Sequence, residues 1–311
     1  MQLVVLAAGR GTRLRPVTDD RSKAMVPVAG RPLVERAVEP WLAAGLREVV
    51  FVVGPGDAEI REHFARPADL GITVRFVEQA QRRGMAHALS MAASMLHGDF
   101  ALTACDSLVP ADHVAALVGA HRDGSAVLSL MDVADELVSR SAAVEIDGDA
   151  VRAIVEKPVR GEAPSNTASL PHYILPHRIL DLLGELEVSP RGEIELQSGI
   201  QRLIDEGVEV LGVRTGSRRQ VSNPDDLLRV TIDELQARGG MVVPARWLDV
   251  RMVGPVVIDS GVRIGRDCVI GPDVYLEAGC RIGRRSTILR SVILRTAVVP
   301  DDSVVDGEVL V

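Results

Sequence analysis

The sequence predicts an α/β chain in two parts: a mostly parallel, Rossmann-like sheet flanked by helices, then a short left-handed parallel β-helix of hexapeptide repeats. Three observations predict it. Short aliphatic runs alternate with helical patterns through the first third of the chain, a last helix stops at Gly239-Gly240, and beyond that stop the hydrophobic period becomes six. The boundary falls between residues 238 and 239, giving domains 1–238 and 239–311.

The elements follow in order. Leu3–Leu6, Val49–Val53, Val74–Val77 and Phe100–Thr103 read as buried strands, separated by helical stretches over Pro32–Ala44, Ala58–Phe64 and Met85–Leu96. A βαβ series of this kind makes a parallel sheet with helices on its faces. Pro32 suits a first helical turn and Gly45 a stop. In the less regular middle third, Ala142–Ile146 and Val151–Val155 join across Asp147-Gly148-Asp149 as a hairpin, followed by helices near Pro176–Leu186 and Glu193–Glu206. The last helix covers Asp225–Arg238.

After it, every sixth residue from Ile258 is aliphatic: Ile264, Ile270, Leu276, Ile282, Ile288 and Leu294. A second column holds Val256, Val262, Cys268, Val274, Cys280, Ser286, Val292, Val298 and Val304. With three hexads to a triangular coil, the stretch makes about three to four coils. Such coils serve as acyltransferase bodies, oligomerisation prisms or caps. No histidine stands in the repeats, and the cysteines occupy the small inward column, where they read as packing residues.

Composition narrows the function. With 35 Lys+Arg against 43 Asp+Glu the formal charge is −8, which argues against a general grip on nucleic acid. No apolar run approaches the ~18 residues that span a bilayer, and the opening run lacks a basic lead-in, so no membrane is expected and the setting reads as cytoplasmic. Three cysteines without CxxC or zinc spacing fit a reduced compartment without a structural metal. Lysine occurs only twice, at Lys23 and Lys157, while the other 33 basic residues are arginine. Whether coding bias or selection favours arginine, a surviving lysine marks a place for a compact, strongly hydrated ammonium.

The segment LAAGRGTRLRPVTDDRSKAMVPVAGRP follows directly on the first strand. Gly9 and Gly11 let backbone N–H groups approach an anion, and Arg10, Arg13 and Arg15 supply charge. From the residues alone this is an anion-binding loop or a structural turn; it is neither a Walker loop nor the dinucleotide fingerprint. The run Gly9, Gly11, Thr12, Arg13, Leu14, Pro16, Thr18, Lys23, Pro27 and Pro32 closely resembles the signature of the sugar-1-phosphate nucleotidyltransferases. The resemblance continues through VEQAQRRGMAHAL, Ala104-Cys105-Asp106 and Val155-Glu156-Lys157-Pro158, and covers residues 1 to about 235.

The resemblance implies an enzyme that joins a nucleoside triphosphate to a sugar 1-phosphate and releases pyrophosphate. Arg13 and Lys23 would hold the triphosphate, Lys157 the sugar phosphate, and Asp106 a Mg²⁺ ion; alone, Asp106 would read as a turn cap after a strand. Ala7, Ala8, Gly9, Gly11 and Thr12 would line the nucleotide, Gln79 and Gly84 the base, Met85 the base or the sugar, and Glu156 and Tyr173 the sugar. Gln79 carries both an amide donor and an acceptor, matching a uracil or thymine edge, so UTP or dTTP is expected. His87 reads equally as facing the nucleotide or as a solvated or capping residue. The β-helix carries no phosphate motif, so its expected role is homo-oligomerisation, and its removal should change assembly before chemistry.

Three residues depart from the family pattern. Gln220 stands where a second carboxylate or Asn ligand is usual, Pro171-His172-Tyr173 replaces Gly-x-Tyr, and Met85 replaces a common Thr. They keep open a second reading, a catalytically impaired nucleotide-sugar-binding or regulatory paralogue.

Overall fold

The computed structural model describes residues 1–66, 71–159, 161–243, 247 and 249–311, and the chain packs as two compact units. The first is Met1–Gly9 with Val34–Arg219; the second is Arg10–Leu33 with Gln220–Val311.

The first unit is built on a nine-stranded mixed sheet. Its strands are β1 (Gln2–Leu6), β2 (Glu48–Val53), β3 (Thr73–Glu78), β4 (Phe100–Ala104), β5 (Ala126–Asp132), β6 (Ala142–Asp147), β7 (Ala150–Glu156), β8 (Thr167–Leu175) and β9 (Val210–Arg214), in the order β3-β2-β1-β4-β8-β5-β9-β7-β6. The four aliphatic runs expected as buried strands are β1 to β4, paired in parallel; β1, β2 and β4 are buried, whereas β3, at the edge of the sheet, has only exposed and half-buried side chains, which corrects the expectation for Val74–Val77. Leu3, Val4, Val5, Phe51 and Val52 are wholly inaccessible, as strands covered on both faces must be. From β1 the chain runs to β2 and β3 on one side, then returns to β4 on the other. The strand order thus reverses between β1 and β4, where an α/β sheet opens a crevice at its carboxyl edge.

The expected hairpin is β6–β7, antiparallel across Gly148. Other elements carry no clear sequence mark: the helix Ala111–Ala120 and strands β5, β8 and β9. In β8 the obstacle is Pro171, which cannot donate to a ladder. The structure places it inside a register shift between Leu170 and Tyr173, so that the strand bulges around the proline and pairs with β4, β5 and β6. The expected helices form with shorter bounds: Leu33–Ala43, Ala58–His63, Met85–Ala92, Ile179–Leu182 and Leu196–Asp205. Pro32 falls one place before its helix, in a two-residue strand, rather than in the first turn.

The second unit contains the β-helix, whose three faces are parallel sheets of five, four and three short strands. Early rungs lie 18 residues apart, as in Val256 to Val274 and Arg263 to Arg281. Later ones lie 17 apart, as in Tyr275 to Val292 and Thr287 to Val304. The repeat therefore loses one residue at the corner near Arg290, which turns with φ 42°. This corrects the six-residue reading beyond Ile288: the inward column continues as Ile293, Val299 and Val305, while Val298 and Val304 point out at 67% and 73% exposure. Cys268 and Cys280 are buried free thiols in the core, and burial pushes the Cys280 thiol up to about 12.

The helix Pro224–Arg238 belongs to this unit and packs on Pro27–Val28, Val274–Leu276 and Val309–Leu310. Its start is fully specified by sequence: Asn223 Oδ1 accepts from the Asp226 N–H at 2.8 Å, Pro224 opens the first turn, and two aspartates face the positive end of the helix. No helix of the described residues is long and apolar enough to cross a membrane.

Candidate active site

The expected site residues divide between the units. In the first, most follow the carboxyl ends of adjoining parallel strands. Ala7 continues β1 and donates its N–H to the Val52 carbonyl at 2.8 Å; Gln79 continues β3 and donates to Val53 at 2.9 Å; Cys105 continues β4 and donates to Leu6 at 3.2 Å. Asp106 comes next, half-buried in the turn after β4. Ala8 is buried and its carbonyl accepts from the Arg82 guanidinium, so the loop carrying Gln79 is tied back to the loop after β1. Gly9 is exposed, and a Cβ there would meet nothing.

Gln79 is only 4% exposed, and its amide is held from two sides. Its Nε2 donates to the Gly84 carbonyl at 3.2 Å and to His87 Nδ1 at 2.9 Å. The carbonyl can only accept, which orients the amide, and Nδ1 accepts when the imidazole is neutral. Burial, helped by Arg83, lowers the His87 pKa and so favours that neutral form. Both amide hydrogens are committed inside the protein, and Gln79 offers a ligand its carbonyl oxygen. The donor half of the pairing read from sequence is therefore used internally. Gly84 caps the helix Met85–Ala92 at φ 101°, and a Cβ there would lie 2.4 Å from the Ile194 carbonyl oxygen. Only glycine fits, for a reason that lies more than a hundred residues away in sequence. Met85 is half-buried against the sheet core.

Glu156 ends β7, and Lys157 follows with φ 46°, a left-handed backbone that a non-glycine residue adopts at a cost of order 1–3 kcal/mol. Its N–H donates to the Ser141 carbonyl at 2.9 Å, and Nζ lies 3.2 Å from Glu156 Oε1. Burial raises the Glu156 pKa while Lys157 opposes it. Tyr173, expected to face the sugar, is fully buried; its hydroxyl accepts from Ser169 Oγ at 3.2 Å, and burial pushes the phenol up to about 12.

The departure at Pro171-His172 also has a structural account that sequence did not signal. The bulge turns His172 inward, where Nδ1 meets Thr103 Oγ1 and Nε2 meets Ser107 Oγ, each at 2.9 Å. Arg218 Nε donates to the same Ser107 hydroxyl at 3.2 Å. Thr103 and Ser107 bracket the turn that carries Asp106, so the imidazole fixes that turn from both ends. Complete burial, with Arg218 and His113 adding to it, lowers its pKa to about 3.

In the second unit, Gly11 takes φ 64° and caps the short turn Thr12–Leu14. A Cβ on it would sit 3.0 Å from Lys23 Cβ, so the glycine lets the loop close on the lysine. Thr18 Oγ1 donates to the Gly11 carbonyl at 2.9 Å. Thr12 and Arg13 are exposed, Lys23 is 8% exposed, and Gln220 is half-buried just before the capped helix.

One group of carboxylates and histidine among the described residues has metal-ligand spacing: Asp99, His121 and Asp123. It lies at the amino end of β4, opposite Asp106. Asp99 already accepts from the Gly124 N–H, the His177 N–H and His121 Nε2, an arrangement that ties loops together.

Residues 2–251 match the nucleotidyl transferase family and residues 252–310 match the GMPPB C-terminal domain. A glucose-1-phosphate thymidylyltransferase of Streptomyces antibioticus is 32% identical over 91% of this chain and 84% of its own. The UTP–glucose-1-phosphate uridylyltransferase AglF of Haloferax volcanii is 31% identical over 73% of this chain and 93% of its own. Among solved structures, a UDP-glucose pyrophosphorylase from Acinetobacter baumanii superposes with a TM-score of 0.67 at 26% identity, covering 76% of this chain and 93% of that one. Since the match spans residues 2–251, this chain belongs to the nucleotidyl transferase family.

Proposed function

We propose that the protein joins a nucleoside triphosphate, UTP or dTTP, to a sugar 1-phosphate, giving a nucleoside-diphosphate sugar and pyrophosphate. The observation that carries this reading is the Gln79 amide, anchored by Gly84 and His87 so that it presents an acceptor. An acceptor there pairs with the imino N–H of uracil or thymine and repels the ring nitrogen that cytosine and adenine present in that place. Guanine also carries an imino N–H and is separated by its size. The names of the thymidylyl- and uridylyltransferase relatives support the same bases.

In this reaction an oxygen of the sugar phosphate attacks the α-phosphorus of the triphosphate, the bond to the β-phosphate breaks, and pyrophosphate leaves. The nucleophile is already anionic, because the second pKa of a phosphomonoester is about 6, so no general base is needed. What the chain must supply is alignment and positive charge. Lys157 holds the sugar phosphate. Its strained backbone and its partner Glu156 fix the ammonium, and Glu156 and Tyr173 are the residues proposed for the sugar. Arg13 and Lys23 take the triphosphate and leaving pyrophosphate, with Ala7, Ala8, Gly9, Gly11 and Thr12 along the nucleotide and Met85 beside the base. Asp106, on a turn immobilised by His172, would offer Mg²⁺ a hard carboxylate, and Gln220 would offer a neutral amide oxygen. The ion would neutralise phosphate charge when bound.

The nucleotidyltransferase domain is placed at residues 1–238 and the β-helix domain at 239–311, acting as a cytoplasmic homo-oligomer. A pyrophosphate-release panel, each of five nucleoside triphosphates against a set of sugar 1-phosphates, tests the reading. Turnover with UTP or dTTP is expected; GTP used at least as well as either would overturn the base assignment. Binding without release would favour the impaired paralogue.

A further inference from the structure

We infer that the β-helix positions the triphosphate loop of its own chain, through a buried ion pair between Arg21 and Glu277. The inference rests on the proposed role of Arg13 and Lys23. It starts from packing: Arg10–Leu33, which carries both residues, forms one compact unit with the β-helix.

Three attachments fasten the loop. Arg21 is 3% exposed in its side chain, and its Nη1 donates to Glu277 Oε1 at 2.5 Å. The other oxygen of Glu277 accepts the Arg295 N–H at 2.8 Å, so one carboxylate joins the loop to two successive coils. Arg295 reaches back in turn: its Nε donates to Asp20 Oδ2 at 2.7 Å and its Nη2 to the Asp20 carbonyl at 2.6 Å. Further along, the tight turn Ala29-Gly30, both with positive φ, rests on Val257 and Tyr275, and the Tyr275 hydroxyl donates to Asp259 at 2.7 Å.

The chemistry of the pair suits positioning. A charge pair this dry gains little stability over apolar packing; what it fixes is direction, because Arg21 Nε holds Asp20 Oδ1 of its own loop at 3.2 Å while Nη1 reaches Glu277, so one buried guanidinium joins the loop to the coil. Arg21 stands two residues before Lys23, and Lys23 packs under Gly11 at the entry of the turn carrying Thr12 and Arg13. Fixing residues 20 and 21 therefore limits where the Lys23 ammonium and the Arg13 guanidinium can go. Glu277 acts through the loop and is a positioning residue.

The test uses the full-length protein with Glu277→Gln, Arg295→Ala and Arg13→Ala variants, measuring KM for the triphosphate and the sugar 1-phosphate separately. Glu277→Gln is expected to raise the triphosphate KM at least tenfold and to leave the sugar 1-phosphate KM within twofold, since Glu156 and Lys157 belong to the other unit. Arg295→Ala, on a partly exposed side chain, should raise the triphosphate KM severalfold and serves if Glu277→Gln fails to fold. A folded Glu277→Gln with an unchanged triphosphate KM, or with both KM values moved together, would overturn the inference. Should Glu277→Gln not fold, an unchanged triphosphate KM in Arg295→Ala would do the same. Arg13→Ala separates the two levels: if it leaves the triphosphate KM unchanged, the reading of the loop fails, and if it raises KM where the other variants do not, only the role of Glu277 fails.

Discussion

Gln79 shows how a residue identified by motif acquires its chemistry from neighbours the motif does not name. The resemblance implies that it reads the base; in the structure Gly84 and His87 take both of its amide hydrogens and leave the carbonyl oxygen as the group it would use in the proposed pairing. Gln79→Leu removes that acceptor and leaves the imino N–H of a bound pyrimidine unpaired. The triphosphate KM should rise roughly ten- to a hundredfold, in line with ~1–3 kcal/mol for a buried polar group left unsatisfied, with kcat little changed. Steady-state kinetics on UTP and dTTP check this. His172 carries a different prediction. Its folded pKa, about 3, lies below the ordinary value of 6.5, so the native state binds fewer protons than the unfolded chain between the two. The neutral imidazole's contribution is complete above pH 6.5 and is lost as pH falls toward 3, at about 1.4 kcal/mol per pH unit. Urea midpoints measured across that range should fall less steeply for His172→Gln, and an identical slope would contradict the burial account. Neither partnership was legible beforehand, because each is made across the sheet by residues far apart in sequence.

At the scale of elements, legibility follows periodicity. β1 to β4 are short runs rich in apolar residues, and their bounds match the sequence reading to within a residue or two; β8 hides behind Pro171 and needs a bulge that no local pattern announces. The β-helix was legible as architecture, and its register held until one corner lost a residue near Arg290. Aliphatic residues occupy both candidate columns there, so composition could not choose between them. Folded stability can. Ile293→Ala on the corrected inward column should cost about 2–5 kcal/mol, whereas Val304→Ser, 73% exposed, should stay within about 0.5 kcal/mol. A larger loss at Val304 than at Ile293 would restore the unbroken six-residue reading.

For the whole molecule, the linear order of the sequence is the least reliable guide. A boundary at residue 238 describes where the repeat begins, yet the compact units join Arg10–Leu33 to the β-helix. Sequence patterns carry no sign of this, since Arg21 and Glu277 are 256 residues apart and neither belongs to a motif. Their link also changes what removing the β-helix should do: loss of residues 255–311 would take away the support of the loop that carries Arg13 and Lys23 as well as any assembly surface. The central claim, nucleotidyl transfer to a sugar phosphate without a general base, is tested most directly by following label. Incubation of the protein, Mg²⁺ and a sugar 1-phosphate with UTP labelled in the α-phosphate, and separately in the γ-phosphate, should place the α label in the nucleotide sugar and the γ label in pyrophosphate. A γ label appearing in the sugar product, or released as inorganic phosphate with no nucleotide sugar formed, would contradict it.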